Sequence, residues 1–278
     1  MTLHILTDST ADLGSDLAAE FGVDVIPLTV TLGENAYLDG VEIDQQKLFD
    51  LVAQVGTLPK TAAPSVGEFA RFFERDGESI FIGISSNLSA TIQNARLAAA
   101  EKGEGRVRVI DSLNLSTGIG LLVLRAAELR AAGRSAAEIE QDILACVPKV
   151  RTSFIIDTME YLYKGGRCSA LQALAGSVLK IHPIIEVRAD GTLGVKGKAR
   201  GSRERGLQMM LDDFAADLER LDRRRVFITH TACPQDAEFL KQEILRLAAP
   251  DEVRITLAGS VISSHCGPAT IGILYMLK

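Results

Sequence analysis

Basic residues are in deficit. Lys and Arg number 30 against 36 Asp and Glu, a formal net charge of −6, and the sequence pI is near 5.4. A sequence-wide nucleic-acid footprint needs a basic face, so no nucleic-acid partner is expected. Cysteine is sparse: Cys146, Cys168, Cys233 and Cys266 are scattered and form no Cys-x-x-Cys pair. Four reduced thiols are expected, and no metal site, since no Cys/His ligand spacing occurs. No apolar run reaches membrane-spanning length; even the stretch 119–124 is soon broken by Arg125. Met1-Thr2-Leu3-His4-Ile5 runs directly into a strand-like segment, with no basic region ahead of an apolar one. No membrane span and a cytoplasmic location are therefore expected. Tryptophan is absent, and there is no low-complexity tract or internal repeat.

Three enzyme signatures are also missing. There is no Gly-x-Ser-x-Gly nucleophile elbow and no Walker-type phosphate loop. The strings around Gly103-Glu104-Gly105 and Gly118-Ile119-Gly120 lack the third glycine and the strand-to-helix setting of a dinucleotide fingerprint. A Ser-His-Asp triad is a matter of spatial arrangement, and Asp8, Ser89 and His265 supply the residue types for one.

What is present is an ordinary globular composition, 47% hydrophobic and 24% charged over 278 residues, which suits two domains or one large one. The first half alternates short apolar runs with helical patterns. Strands are expected at 3–7, 23–32, 79–84 and 107–110, and helices at 15–21, 44–55, 90–102, 115–132 and 135–147. Ser65 caps a further helix, Gly33 to Glu42 reads as a loop, and Thr61, three residues before Pro64, reads as extended backbone. This is the pattern of a mostly parallel sheet with helices on both faces. Three strands end in polar loops, Thr7-Asp8-Ser9, Ser85-Ser86 and Asp111-Ser112, and ligands bind at such carboxyl ends. After Pro148 the rhythm changes. A strand at 153–157, short helices at 159–164 and 170–179, and a hairpin turning at Ala189-Asp190-Gly191 lead into further strands and helices, and 271–277 reads as a strand or short helix. The expected architecture is α/β with two domains, 1–150 carrying the parallel sheet and 151–278 a mixed sheet.

Four stretches carry candidate chemistry. Ile84-Ser85-Ser86-Asn87-Leu88-Ser89-Ala90-Thr91 places hydroxyls where a strand ends and a helix begins. Unpaired N–H groups and the helix dipole favour an anion there, although Ser89 is equally well read as a simple N-cap. Lys164-Gly165-Gly166-Arg167 reads as a glycine stop to a helix, or as a tight turn presenting Arg167 to an anion or a partner carboxylate. Ser263-Ser264-His265-Cys266-Gly267-Pro268-Ala269-Thr270 reads as a polar loop carrying a histidine. Lys196, Lys198 and Arg200 alternate along a strand, as a solvated face or as a surface for an acidic partner.

Six ordered strings resemble those of the DegV family, the FakB-type fatty-acid-binding subunits of bacterial fatty acid kinase. They are Thr7-Asp8-Ser9-Thr10-Ala11-Asp12-Leu13, Thr61-Ala62-Ala63-Pro64-Ser65, Ile84-Ser85-Ser86-Asn87-Leu88-Ser89, Ile110-Asp111-Ser112, Glu160-Tyr161-Leu162-Tyr163-Lys164-Gly165-Gly166-Arg167 and His265-Cys266-Gly267-Pro268. The resemblance covers nearly the whole length. It implies a lipid tunnel between the two domains, with the acyl carboxylate held by Thr61 and Ser89, and with Arg167 and His265 near the carboxylate or engaging the kinase subunit. Ser9, Ser86, Ala90, Gly166 and Cys266 are carried over as secondary site positions. It further implies that the ATP-dependent partner performs the chemistry, so that this chain is a carrier with no catalytic residue and no cofactor beyond the bound long-chain fatty acid. The sequence departs from the family pattern at Ala62-Ala63, where Ser-Gln is common, at Ala90, where Gly is usual, and at His182-Pro183, where Lys-Pro is common. The competing function is an acyl hydrolase or transferase using Ser89 and His265.

Overall fold

A computed structural model describes residues 2–167 and 181–278. The chain begins with β1 (Leu3–Asp8) and passes through a single 3-10 turn into α1 (Gly14–Glu20). There follow β2 (Val23–Ile26), β3 (Thr29–Leu32), β4 (Asn35–Leu38), α2 (Gln45–Val55), β5 (Lys60–Ala62), α3 (Val66–Phe72), β6 (Glu78–Gly83), α4 (Thr91–Ala100), β7 (Val107–Asp111), α5 (Thr117–Ala131) and α6 (Ala136–Cys146). The second half holds β8 (Val150–Ile155), α7 (Glu160–Gly165), β9 (Ile181–Val187), β10 (Leu193–Arg200), α8 (Arg203–Ala216), β11 (Leu221–His230), α9 (Pro234–Ala248), β12 (Val253–Leu257), α10 (Ser260–Cys266) and β13 (Ile271–Leu277). The expected helix at 170–179 and Cys168 lie outside the described residues.

The fold is α/β, with a parallel sheet in the N-terminal part and a mixed sheet in the C-terminal part. The parallel sheet has the order β2-β1-β6-β7. Its three polar strand ends lie on one edge, as the alternation of strands and helices requires. The mixed sheet has the order β10-β9-β8-β13-β11-β12, in which β11 and β12 are parallel and the other described pairs antiparallel. The hairpin at Ala189-Asp190-Gly191 joins β9 to β10, with Gly191 at φ 80°.

Two sequence expectations are corrected here. The run 23–32 is two strands, because Pro27 breaks the ladder and Leu28 donates its N–H to Ser9 Oγ at 3.1 Å. β2 stays in the parallel sheet, while β3 joins a small antiparallel sheet, β4-β3-β5, whose β4 occupies part of the expected loop. The polar segment 263–270 is not all loop. Its first four residues, including His265 and Cys266, complete α10, a seven-residue helix too short to declare itself by periodicity. The ambiguous segment 271–277 is a strand, and all seven of its residues are buried.

Helix α5 is packed between the two larger sheets. Every residue from Thr117 to Leu124 is buried, and the helix touches β1 and β6 on one side and β8, β11 and β13 on the other. A helix apolar on all sides belongs in an interior. Gly118 and Gly120 admit this. A Cβ at Gly118 would lie 2.7 Å from Thr152 Oγ1 of β8 and 2.1 Å from Asn114 Oδ1, and one at Gly120 would lie 2.9 Å from Leu13 Cδ2. The same hydrophobic cluster therefore runs from Ile5, Ile80 and Ile110 through Ile119 and Leu122 to Phe154, Phe227 and Leu274.

Candidate functional site

A cavity of about 260 Å³ lies on the face of the mixed sheet that looks toward the parallel sheet. Its floor is Thr152 and Phe154 of β8, Gly272 and Leu274 of β13, and Thr229 of β11. Successive alternate residues share a strand face, which is why these side chains line one surface. Ile84, Leu88 and Ser89 enter from the loop after β6, Leu115 and Ser116 from the approach to α5, and Leu28 and Thr61 from around the small antiparallel sheet. Val261, Ile262 and His265 of α10 and Leu162 of α7 close it. Much of the wall is aliphatic. Three candidate polar groups, Thr61, Ser89 and His265, border it together with Arg167.

His265 is the most constrained of these. Its Nε2 is 2.8 Å from Thr61 Oγ1, while Nδ1 is buried without a partner among the described residues. Burial, and then the nearby Arg167 guanidinium, push its pKa down from 6.5 to about 4, so the ring is neutral at neutral pH. With the proton on Nε2, the ring donates to Thr61 and leaves the threonine hydroxyl free to donate onward. Gly165 is what admits the ring: a Cβ there would stand 2.6 Å from His265 Nδ1. Its neighbour Gly166 serves a different need, closing α7 at φ 69° in the left-handed region. The turn then presents Arg167, exposed, with Nη1 donating to Gly165 O at 2.6 Å.

Ser89 stands one residue before the N-cap of α4, which is Ala90. Its Oγ is 2.8 Å from Thr91 Oγ1 and accepts the Thr91 N–H at 3.3 Å. Thr61, Ser89, Ala90, Arg167, His265 and Cys266 thus border one cavity. The Cys266 thiol is pushed up to about 12 by burial and is an inert wall atom. Ser9, Ser86 and Gly166 are not among the lining residues. Ser9 supports Leu28, Ser86 is exposed with its N–H 3.2 Å from Asp111 Oδ1, and Gly166 shapes the turn. Asp8, Ser89 and His265 are not hydrogen-bonded to one another. Asp8 instead accepts from the backbone of Thr10 and Ile84, each at 2.9 Å.

The sequence reading missed the groups that hold α10 in place. Asp12 Oδ1 accepts the Gly259 N–H at 2.8 Å, and its Oδ2 accepts Ser116 Oγ–H at 2.6 Å. Asp39 Oδ1 accepts the Ser260 N–H at 2.7 Å. Burial raises both carboxyl pKa values. Gln45 of α2 donates to Ala258 O at 2.9 Å and accepts from Ala232 N at 2.9 Å. Ser116, which borders the cavity, holds φ 53° and ψ −148°, a conformation that costs a non-glycine residue about 1–3 kcal/mol. No local signal marks these roles.

The chain and its fold resemble those of known proteins. The family model described as "Uncharacterised protein, DegV family" matches residues 2–278. A DegV domain-containing protein of Deinococcus radiodurans is 34% identical, over 98% of this chain and 98% of its own. A DegV family protein from Thermus thermophilus, whose structure is described under the words fatty acid binding, is 34% identical with a TM-score of 0.93, over 100% of both chains. DegV of Bacillus subtilis, described as a fatty acid binding protein, is 26% identical with a TM-score of 0.85, again over 100% of both. The fatty acid kinase B3 protein of Streptococcus pneumoniae, loaded with linoleic acid, superimposes with a TM-score of 0.88 over 100% of both chains; at 22% identity it speaks to the fold alone. The chain belongs to the DegV family.

Proposed function

We propose that this chain binds a long-chain fatty acid and presents its carboxylate to a separate ATP-dependent kinase subunit, which converts it to an acyl phosphate. The observation that carries the reading is the cavity itself, an aliphatic space bordered by Thr61, Ser89, His265 and Arg167. Hydroxyl and guanidinium donors favour the ionised carboxylate, while each methylene buried along the wall contributes about 0.8 kcal/mol. The tail then supplies most of the affinity and the polar end supplies orientation. A protein that keeps such a chain out of water while leaving its head near an exposed Arg167 is suited to delivery. Support also comes from the fatty acid binding described for the Thermus thermophilus and Bacillus subtilis relatives.

In this reading the chain is a carrier without catalytic residues or cofactor, works in the cytoplasm beside its kinase, and divides at residue 150, where the backbone enters the mixed sheet. The test is lipid extraction of purified protein followed by mass spectrometry, then titration with palmitic and oleic acids. Co-purifying acyl chains and saturable binding are expected; neither a bound lipid nor any uptake of added acid would overturn the reading. Adding kinase and ATP to loaded protein is expected to yield acyl phosphate. Turnover of acyl esters by the protein alone, lost in Ser89→Ala, would favour the hydrolase instead.

A further inference from the structure

Gly272 sits where a side chain would be expected. It is the second residue of β13, and β13 lies inside the mixed sheet between β8 and β11, so both of its flanks are paired. A glycine in a strand interior weakens the strand, and such a residue marks a bulge or the close approach of another group. Here there is no bulge. The register through Gly272 is regular on both sides, and its φ is not positive. The backbone therefore does not demand glycine.

Its surroundings are the cavity floor. Thr270, immediately before β13, and Gly272 and Leu274 within it follow an every-other-residue pattern, and all three line the cavity. The cross-strand partners of Gly272, Phe154 on β8 and Thr229 on β11, line it too. Gly272 is thus a notch between a phenyl ring and a threonine. The hydroxyls around it are already engaged: Thr229 with Thr117 at 2.6 Å and with Thr256 at 2.8 Å, and Thr152 with Asn114 Oδ1 at 2.7 Å. They ask nothing of a hydrocarbon passing over them. Along β13 the polar end is marked by Thr270, whose hydroxyl donates to Cys266 O at 2.9 Å, next to His265. Gly272 lies two residues, roughly 7 Å, farther along the strand, with Leu274 beyond it.

We propose that the acyl chain crosses the floor at Gly272, and that the missing side chain there sets how long a chain the protein accepts. The proposal rests on the fatty-acid reading above and adds the residue that governs its length limit. A Cβ at this position would stand 3.1 Å from Ser153 O, 3.2 Å from Phe154 Cβ and 3.4 Å from Leu274 Cδ1, so alanine fits after shifts of a few tenths of an ångström and valine fills the notch.

The experiment measures the affinities of octanoic, dodecanoic, palmitic and stearic acids for wild type, Gly272→Ala, Gly272→Val and Ser89→Ala. In the Gly272 variants the ratio of stearic to octanoic affinity is expected to fall at least about tenfold, more in valine than in alanine, since each methylene kept out of the cavity removes about a factor of four. In Ser89→Ala the two acids weaken together and the ratio holds. Folded Gly272 variants with the wild-type ratio would overturn the proposal while leaving fatty-acid binding intact. A wild type that binds none of the acids would overturn the underlying reading instead. A measurement on wild type alone stands beside these: palmitic acid with a mid-chain diazirine should label the peptides containing Phe154, Thr229 or Gly272, and labelling confined to other peptides would count against the crossing.

Discussion

At the scale of single residues, His265 shows how placement sets chemistry. Its low pKa follows from burial first and from Arg167 second. A ring that refuses a proton in the fold but accepts one in the unfolded chain gives stability that is present above pH 6.5 and lost as the pH falls toward 4. The loss is on the order of 3 kcal/mol for a ring whose pKa falls from 6.5 to about 4 on folding. Asp8, pushed up to about 6 by burial, acts in the opposite sense, its contribution lost as pH rises through that value. The difference between wild type and His265→Gln isolates the histidine: denaturant melts at pH 7 and pH 4.5 should show wild type losing about 2–3 kcal/mol more than the variant. Gly165→Ala should drive the ring off Thr61, since its Cβ would meet Nδ1 at 2.6 Å. Overpacking of this kind costs about 1–3 kcal/mol. The expected result is a fall of about tenfold or more in palmitic acid affinity by titration, beyond any shift in melting temperature.

At the scale of elements, α10 is held at its start by two buried carboxyls rather than by its own sequence. Its N-cap is Gly259, which offers no side chain for capping. Asp12 and Asp39 supply the acceptors from loops far away in the chain, and Asp12 also restrains Ser116. Asp12→Ala should therefore destabilise the protein by about 2–3 kcal/mol, leaving a buried Gly259 N–H without a partner. Asp12→Asn keeps an acceptor for Gly259, and its amide can donate to Ser116 Oγ, so it should retain most of the stability in a urea melt. This arrangement also explains what could be read from the sequence. Apolar periodicity and capping residues revealed α2 and α3, where Asp44 and Ser65 cap, and α6, in which Ser135 proves to be the cap and not the first helical residue. They could not reveal α10, whose determinants lie more than 200 positions away in the chain. The break in 23–32 was marked in the sequence by Pro27, overlooked because both halves are rich in β-branched and apolar residues; which sheet each half joins is set by distant pairing partners.

At the scale of the whole molecule, the order of strands and helices was enough to foresee a parallel sheet followed by a mixed one, because both follow from local alternation and a hairpin turn. The candidate positions at Thr61, Ser89, Arg167 and His265 came from strings that are individually weak, and it is the tertiary structure that brings them to one cavity. The close approaches at Gly118, Gly165 and Gly272 were not legible, since a glycine does not announce which neighbour it makes room for. The packing of α5 has a kinetic consequence. A helix gripped from both sides by side chains of two sheets cannot serve as a hinge, so the halves of the molecule should not part to load or unload a guest. Exchange of α5 amides with deuterium should be slow and nearly the same with and without fatty acid, whereas α7 and α10 should exchange faster when empty. Faster α5 exchange in the empty protein would show the halves separating. Under the proposed function, loading and release are then events of the rim at Arg167, and the interior keeps its shape throughout.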